Sequence, residues 1–91
     1  MKYTLDNTAY LINDSNCARL NQIYLKYWQP NGYQFRSKDT LYDVYNQHKQ
    51  SLTEYPIVVV YSIYDECLYL GYAPYHSEHQ IKDVNNLITV E

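Results

Sequence analysis

Phenylalanine is nearly missing from this chain. Phe35 is the only one in 91 residues, against 13 tyrosines. A core built only for packing has no need of hydroxyls, and a buried tyrosine must find its oxygen a partner. Thirteen phenols on a small domain cannot all be buried and satisfied, so many rings must be half covered with the hydroxyl near water. AT-rich coding favours tyrosine and asparagine, and Asn7, Asn13, Asn16, Asn21, Asn31, Asn46, Asn85 and Asn86 fit it. It favours phenylalanine equally, so it explains the asparagines better than the preference for Tyr over Phe. Surfaces rich in tyrosine grip other proteins well, because a rigid amphipathic ring gives contact area at low entropic cost.

Other scarcities exclude function classes. Gly32 and Gly71 are the only glycines, which leaves no phosphate-cradling glycine loop. With three prolines besides, the loops must be short or built from Asn, Asp and Ser. Arg19 and Arg36 are the only arginines and the formal charge is −3, so nucleic acid is an unfavoured partner. The acids are too few and scattered to imitate a DNA backbone. The longest apolar stretch runs from Ile57 to Tyr61. That falls far short of the roughly 20 residues a membrane span needs. The first residues show no signal-peptide run, so the expected location is the cytoplasm, with no membrane partner. Cys17 and Cys67 then read as free thiols, with a disulfide the minor alternative.

Catalytic sets are equally thin. His76-x-x-His79 has a spacing that can hold a metal, but no third ligand is in register with it. It reads as two surface histidines near a helix start, so no metal and no cofactor is expected. Cys17 lies on an apolar stripe and Cys67 beside a turn, and neither resembles a hydrolase nucleophile. Asp39 and Asp43 read as helix-start acids, and Asp65-Glu66 as a solvated turn. The chain is not expected to be an enzyme.

What is present predicts one α+β domain spanning residues 1–91. Tyr3-Thr4-Leu5 and Thr8 to Ile12 predict a short hairpin turning at Asp6-Asn7, or a single bent strand. Asp14 or Ser15 offers an N-cap for a helix from about Asn16 to Trp28, whose stripe is Cys17, Leu20, Ile23, Tyr24, Tyr27 and Trp28. Gln29-Pro30-Asn31-Gly32 breaks it. Leu41, Val44, Tyr45, His48 and Leu52 share one face of a second helix, from about Thr40 to Leu52. The β-branched run Ile57 to Tyr64 and the segment Cys67 to Tyr72 predict a hairpin with a two-residue Asp65-Glu66 loop. In that register Ile63 faces Leu68, Tyr61 faces Leu70 and Val59 faces Tyr72 on the core side. Tyr64, Ser62, Tyr69, Val60 and Gly71 share the mixed side. Ser77 to Gln80 resembles a capping box for a short third helix, from Glu78 to about Asn85. Leu87 to Val90 looks extended and could add a last strand. Two main helices should therefore pack on a small, mostly antiparallel sheet centred on the hairpin.

The function this predicts is non-catalytic: a small protein-binding protein, an inhibitor or adaptor. Compact, motif-free, low-GC proteins are frequent among phage and mobile-element accessory genes, many of which block a host defence protein. Candidate partner-binding residues are Tyr27, Trp28 and Tyr33, flanking the break after the first helix, with Tyr64 and Tyr69 on the mixed hairpin face. A homo-oligomeric assembly protein, a homodimer included, is one alternative. The other is a weak single-stranded nucleic-acid binder using the aromatic segment 24–35.

Overall fold

The β-branched run forms the spine of the sheet. In the computed structural model, which describes residues 3–76 and 78–84, Ile57–Ser62 is a strand paired antiparallel to Cys67–Tyr72. In chain order the strands are β1 (Thr8–Ile12), β2 (Ile57–Ser62), β3 (Cys67–Tyr72) and β4 (Gln80–Lys82). The α-helices are α1 (Cys17–Ile23) and α2 (Leu41–His48). The sheet has four strands in the order β3-β2-β1-β4. β1 runs antiparallel to β2 and parallel to β4, so the sheet is mixed.

The hairpin register differs from the expectation by two residues. Ser62 pairs with Cys67, Tyr61 with Leu68 and Val59 with Leu70. Ile63 to Glu66 therefore form a four-residue loop in place of the expected two. A two-residue hairpin loop of the favoured type needs positive φ at both positions, which Asp65-Glu66 does not suit. Only Glu66 takes positive φ, at 54°, and the Ser62 hydroxyl accepts the Asp65 N–H at 3.1 Å. A slide of two preserves the alternation, so the faces stay as read while Ile63 leaves the core face for the loop.

The helix-covered face carries Tyr10, Ile12, Ile57, Val59 and Leu68 against Leu20, Ile23, Tyr24, Trp28, Leu41, Val44 and Tyr45. α1 is preceded by Asn16 rather than by a cap at Asp14 or Ser15. Asn16 is buried and its amide donates to the Leu11 carbonyl at 2.9 Å, tying the helix start to β1. From Tyr24 to Trp28 the helix widens to a π turn, and Gln29 bonds back to the Tyr24 carbonyl. Pro30 has no N–H to continue the ladder, and the chain leaves through a 3-10 turn into Gly32, at φ 88°. α2 begins at Thr40, whose hydroxyl accepts the Asp43 N–H at 3.2 Å. It ends at His48, shorter than expected, while Leu52 beyond it still packs on the core.

The segment before β1 is not a hairpin arm. The chain turns at Asn7, φ 51°, and Tyr3 and Leu5 are buried as irregular backbone. Their neighbourhood is pinned by aromatic donors: Trp28 Nε1 to the Tyr3 carbonyl at 2.8 Å, and the Tyr10 hydroxyl to the Thr4 carbonyl at 2.8 Å.

The third helix, expected from Glu78, is not formed over the described residues. Ala73–His76 is a 3-10 turn, and Gln80–Lys82 is β4. Its backbone finds partners on the open edge of β1, with Thr8 opposite Gln80, and the Gln80 N–H donates to the Asn7 carbonyl at 2.7 Å. That pairing prevails over the local capping-box pattern. The final strand read at Leu87 to Val90 lies outside the described residues. The chain from β3 to β4 thus crosses from one sheet edge to the other over the face away from the helices. There Ala73 packs with Ala9, Val58, Val60 and Leu11.

No helix among the described residues is long and apolar enough to cross a membrane. Cys17, buried, and Cys67, half-buried, are free thiols.

Candidate functional site

The crossover leaves a cleft on the back face of the sheet. Strand alternation aims Ser62 from β2, and Tyr69 and Gly71 from β3, away from the helices. The crossover adds Tyr75, His76, Glu78 and His79, the hairpin loop adds Ile63 and Tyr64, and the turn before β1 adds Asp6 and Asn7. With Leu5 and Tyr61, and without Gly71, these residues line a half-open cleft of about 640 Å³. Tyr64 is 92% exposed, Ile63 71%, Tyr75 67% and Tyr69 37%. Tyr75 also belongs to an aromatic group at one end of the cleft. Its ring lies 6.1 Å from Tyr55 and 6.2 Å from Tyr72, which are 5.6 Å from each other.

Gly71 explains how the crossover sits so close. A β-carbon at this position would lie 2.5 Å from Nε2 of His76, so the imidazole fills the space a side chain would take. The His76 ring is 5.7 Å from Tyr69 and 5.6 Å from His79. His79 Nε2 lies 3.5 Å from a Glu78 carboxylate oxygen, and its Nδ1 is buried with no hydrogen-bond partner among the described residues. His76, Glu78 and His79 each offer one ligand atom within 4.8 Å of the others, which makes them a candidate metal-holding set among the described residues. Burial, and then His79 beside it, lower the pKa of His76, while Glu78 opposes them. Burial, reinforced by Glu78 and Asp65, raises the Tyr69 phenol. The cleft is therefore aromatic and rimmed by acid.

The sequence-predicted residues separate into two groups. Tyr64 and Tyr69 line the cleft. Trp28 does not reach any surface. It is 0% exposed, stacked at 5.2 Å on Tyr10, and spends its indole N–H inside the core. Tyr24 and Trp28 are the buried residues of the π turn. Tyr27 is half-buried, its ring 5.4 Å from Tyr3 with the Lys26 ammonium 5.4 Å above it. Tyr33 is half-buried with its ring edge-on to Tyr61 at 4.8 Å. Tyr61 also lines the cleft, so Tyr33 abuts it through that ring, while Tyr27 and Trp28 are not among the lining residues. Sequence reasoning missed Tyr75 and Ile63. Pro74, which ends the strand pattern between Tyr72 and Tyr75, was the available signal for the first. A four-residue loop was needed to see the second. It also misplaced the histidines: His76 ends the 3-10 turn and His79 lies in the bend before β4.

A smaller groove of about 350 Å³ lies between α2 and β3, lined by Phe35, Val44, Leu52, Leu68 and Leu70 among others. Phe35 bridges to Leu68 along part of the β3 edge beside it.

No protein-family model, curated protein or solved structure matches this chain.

Proposed function

We propose that this is a non-catalytic protein-binding protein whose contact surface is the tyrosine-lined back face of the sheet. The observation that carries the reading is the exposure of Tyr64, Tyr69, Tyr75 and Ile63 around one cleft. Large apolar side chains gathered on one face mark interaction surfaces, whereas scattered ones do not. Asp6 and Glu78 on the rim favour a partner with an apolar centre and a basic border. The segment 24–35 lends little support to base stacking, since Tyr24, Trp28 and Phe35 are buried. An inhibitor or adaptor of a host defence protein, acting in the cytoplasm and carried by a phage or mobile element, is the finer form of the proposal. Size and composition support that form, and the cleft supports the broader one.

The test is affinity capture from host lysate with the wild-type chain, a Tyr64→Ala/Tyr69→Ala/Tyr75→Ala variant, and Tyr42→Ala as a control. Tyr42 is exposed on α2, away from the cleft. A stoichiometric partner retained by wild type and control but lost by the triple variant is the expected result. Equal retention by all three would overturn the assignment of the face. Light scattering at several concentrations separates self-association: a dimer that dissociates in the triple variant makes the partner a second copy.

A further inference from the structure

We propose that His76, Glu78 and His79 form a binding site for a late first-row divalent metal ion, with Zn²⁺ as its representative. The linear spacing shows two histidines and no third ligand. The fold supplies one, because Glu78 and His79 are not helical: the 3-10 turn ends at His76, and Glu78 offers its carboxylate beside both imidazoles. The three ligand atoms lie within 4.8 Å of one another. Tetrahedral ligands around zinc sit about 3.4 Å apart, given metal–ligand distances near 2.1 Å. Rotation of the exposed Glu78 side chain and small ring movements close that gap.

Two further observations favour an ion over a plain surface ion pair. Nδ1 of His79 is buried and unpartnered among the described residues, although buried polar atoms are ordinarily satisfied. And Gly71, by lacking a β-carbon, makes the room in which the His76 ring rests 5.6 Å from that of His79. Imidazole and carboxylate ligands suit zinc and its late-transition neighbours, whereas Mg²⁺ asks for oxygen ligands in an octahedron. Three protein ligands leave a position for water or for a donor from a bound molecule. The ion would clamp the crossover across the back of β3. The proposal stands apart from the partner-binding reading, because it concerns the isolated chain.

The experiment is calorimetric titration of the full chain with ZnCl₂, and separately with MgCl₂, in a weakly coordinating buffer. One equivalent of Zn²⁺ should bind, with the His76 and His79 imidazole signals shifting in NMR spectra, and Mg²⁺ should not. His79→Ala should weaken Zn²⁺ by at least about tenfold, judged against the cost of disturbing even a supporting group. Glu78→Gln, an exposed change that keeps the shape, should weaken it as well. Cys67→Ser should leave binding intact. Absent saturable binding, binding undiminished in Glu78→Gln and His79→Ala, or loss in Cys67→Ser would each overturn the site. Thermal melts in EDTA verify that the variants fold. If His79→Ala does not fold, Glu78→Gln and the histidine NMR shifts decide.

Discussion

The two faces of the sheet use tyrosine in opposite ways. Toward the helices, Tyr10, Tyr24 and Tyr45 are buried and each hydroxyl is tied down. Tyr10 donates to the Thr4 carbonyl, Tyr24 to the Asp39 carbonyl at 3.4 Å, and Tyr45 to the Asp14 carboxylate at 3.0 Å. Tyr24 and Tyr45 pin segments 15 and 31 residues apart, and Tyr10 pins the chain six residues before it. On the back face Tyr64, Tyr69 and Tyr75 present their rings to solvent around a cleft. Phenylalanine would serve the first role poorly, because it cannot pin a carbonyl. It would serve the second poorly too, because an exposed ring without a hydroxyl is less compatible with water. A chain that needs both roles has little use for Phe, and the one it keeps, Phe35, is buried against Tyr24 with ring centroids 5.8 Å apart.

Aromatic deletion should show the contrast at its widest on the helix face. Trp28→Ala removes a fully buried side chain and its hydrogen bond to Tyr3. It should cost about 3–5 kcal/mol in urea unfolding. A loss near zero would mean the helix face is not packed as described.

Removing a pin alone is smaller. Tyr10→Phe keeps the ring and strands the Thr4 carbonyl, and should cost about 1 kcal/mol by the same measurement. Gly71→Ala sharpens the other side of the comparison. The new methyl meets only the far end of the His76 side chain, so the stability loss should be about 1 kcal/mol, at the low end for overpacking. The imidazole must move, however, and its NMR signals should shift. Unchanged His76 signals would contradict the close approach. Tyr64→Ala should fall within about 0.5 kcal/mol of wild type, as exposed positions do.

The pins also set a pH dependence. Burial pushes the phenols of Tyr10 and Tyr45 up to about 12. Their folded-state values exceed the unfolded ones, so their contribution is complete below about pH 10. It is lost as pH rises through about 12. At the acid end Asp14 has the reverse sign. The Tyr45 hydroxyl, then Lys49, hold its carboxyl below the usual range. Its contribution is present above the unfolded value and lost as pH falls through the folded one. Absorbance titration at alkaline pH should show a fast class of phenols ionising near pH 10 and a slow class released only with unfolding. A single class would break the distinction between the faces.

Much of this was legible in the pattern of residues. The β-branched run at Ile57, the apolar stripes of both helices, the stop at Pro30 and the helix start near Thr40 are local signals that the structure uses, although His48 on the second stripe is exposed. The two sheet faces survived an error in register because a slide of two residues leaves every side chain on its own side. What was not legible depends on contacts distant in sequence. β4 forms because the edge of β1 lies 72 residues away and open, which no window around Gln80 reveals. Trp28 carries the same helical spacing whether it faces a partner or the core, and only the carbonyl of Tyr3 decides it. Glu78 joins the histidines through a turn that a capping-box reading converts into a helix. Of the candidate site, Tyr69 was readable from alternation, Tyr64 belongs to the loop rather than to a strand face, and the crossover residues were not readable.

The division of tyrosines between the faces can be measured without a partner. Limited nitration of the native chain, followed by peptide mass spectrometry, ranks the phenols by accessibility and ease of ionisation. Tyr64 and Tyr75 should be modified first and Tyr69 after them, with Tyr10, Tyr24 and Tyr45 protected until the chain unfolds. Modification of Tyr10 or Tyr24 at the rate of Tyr64 would contradict the account.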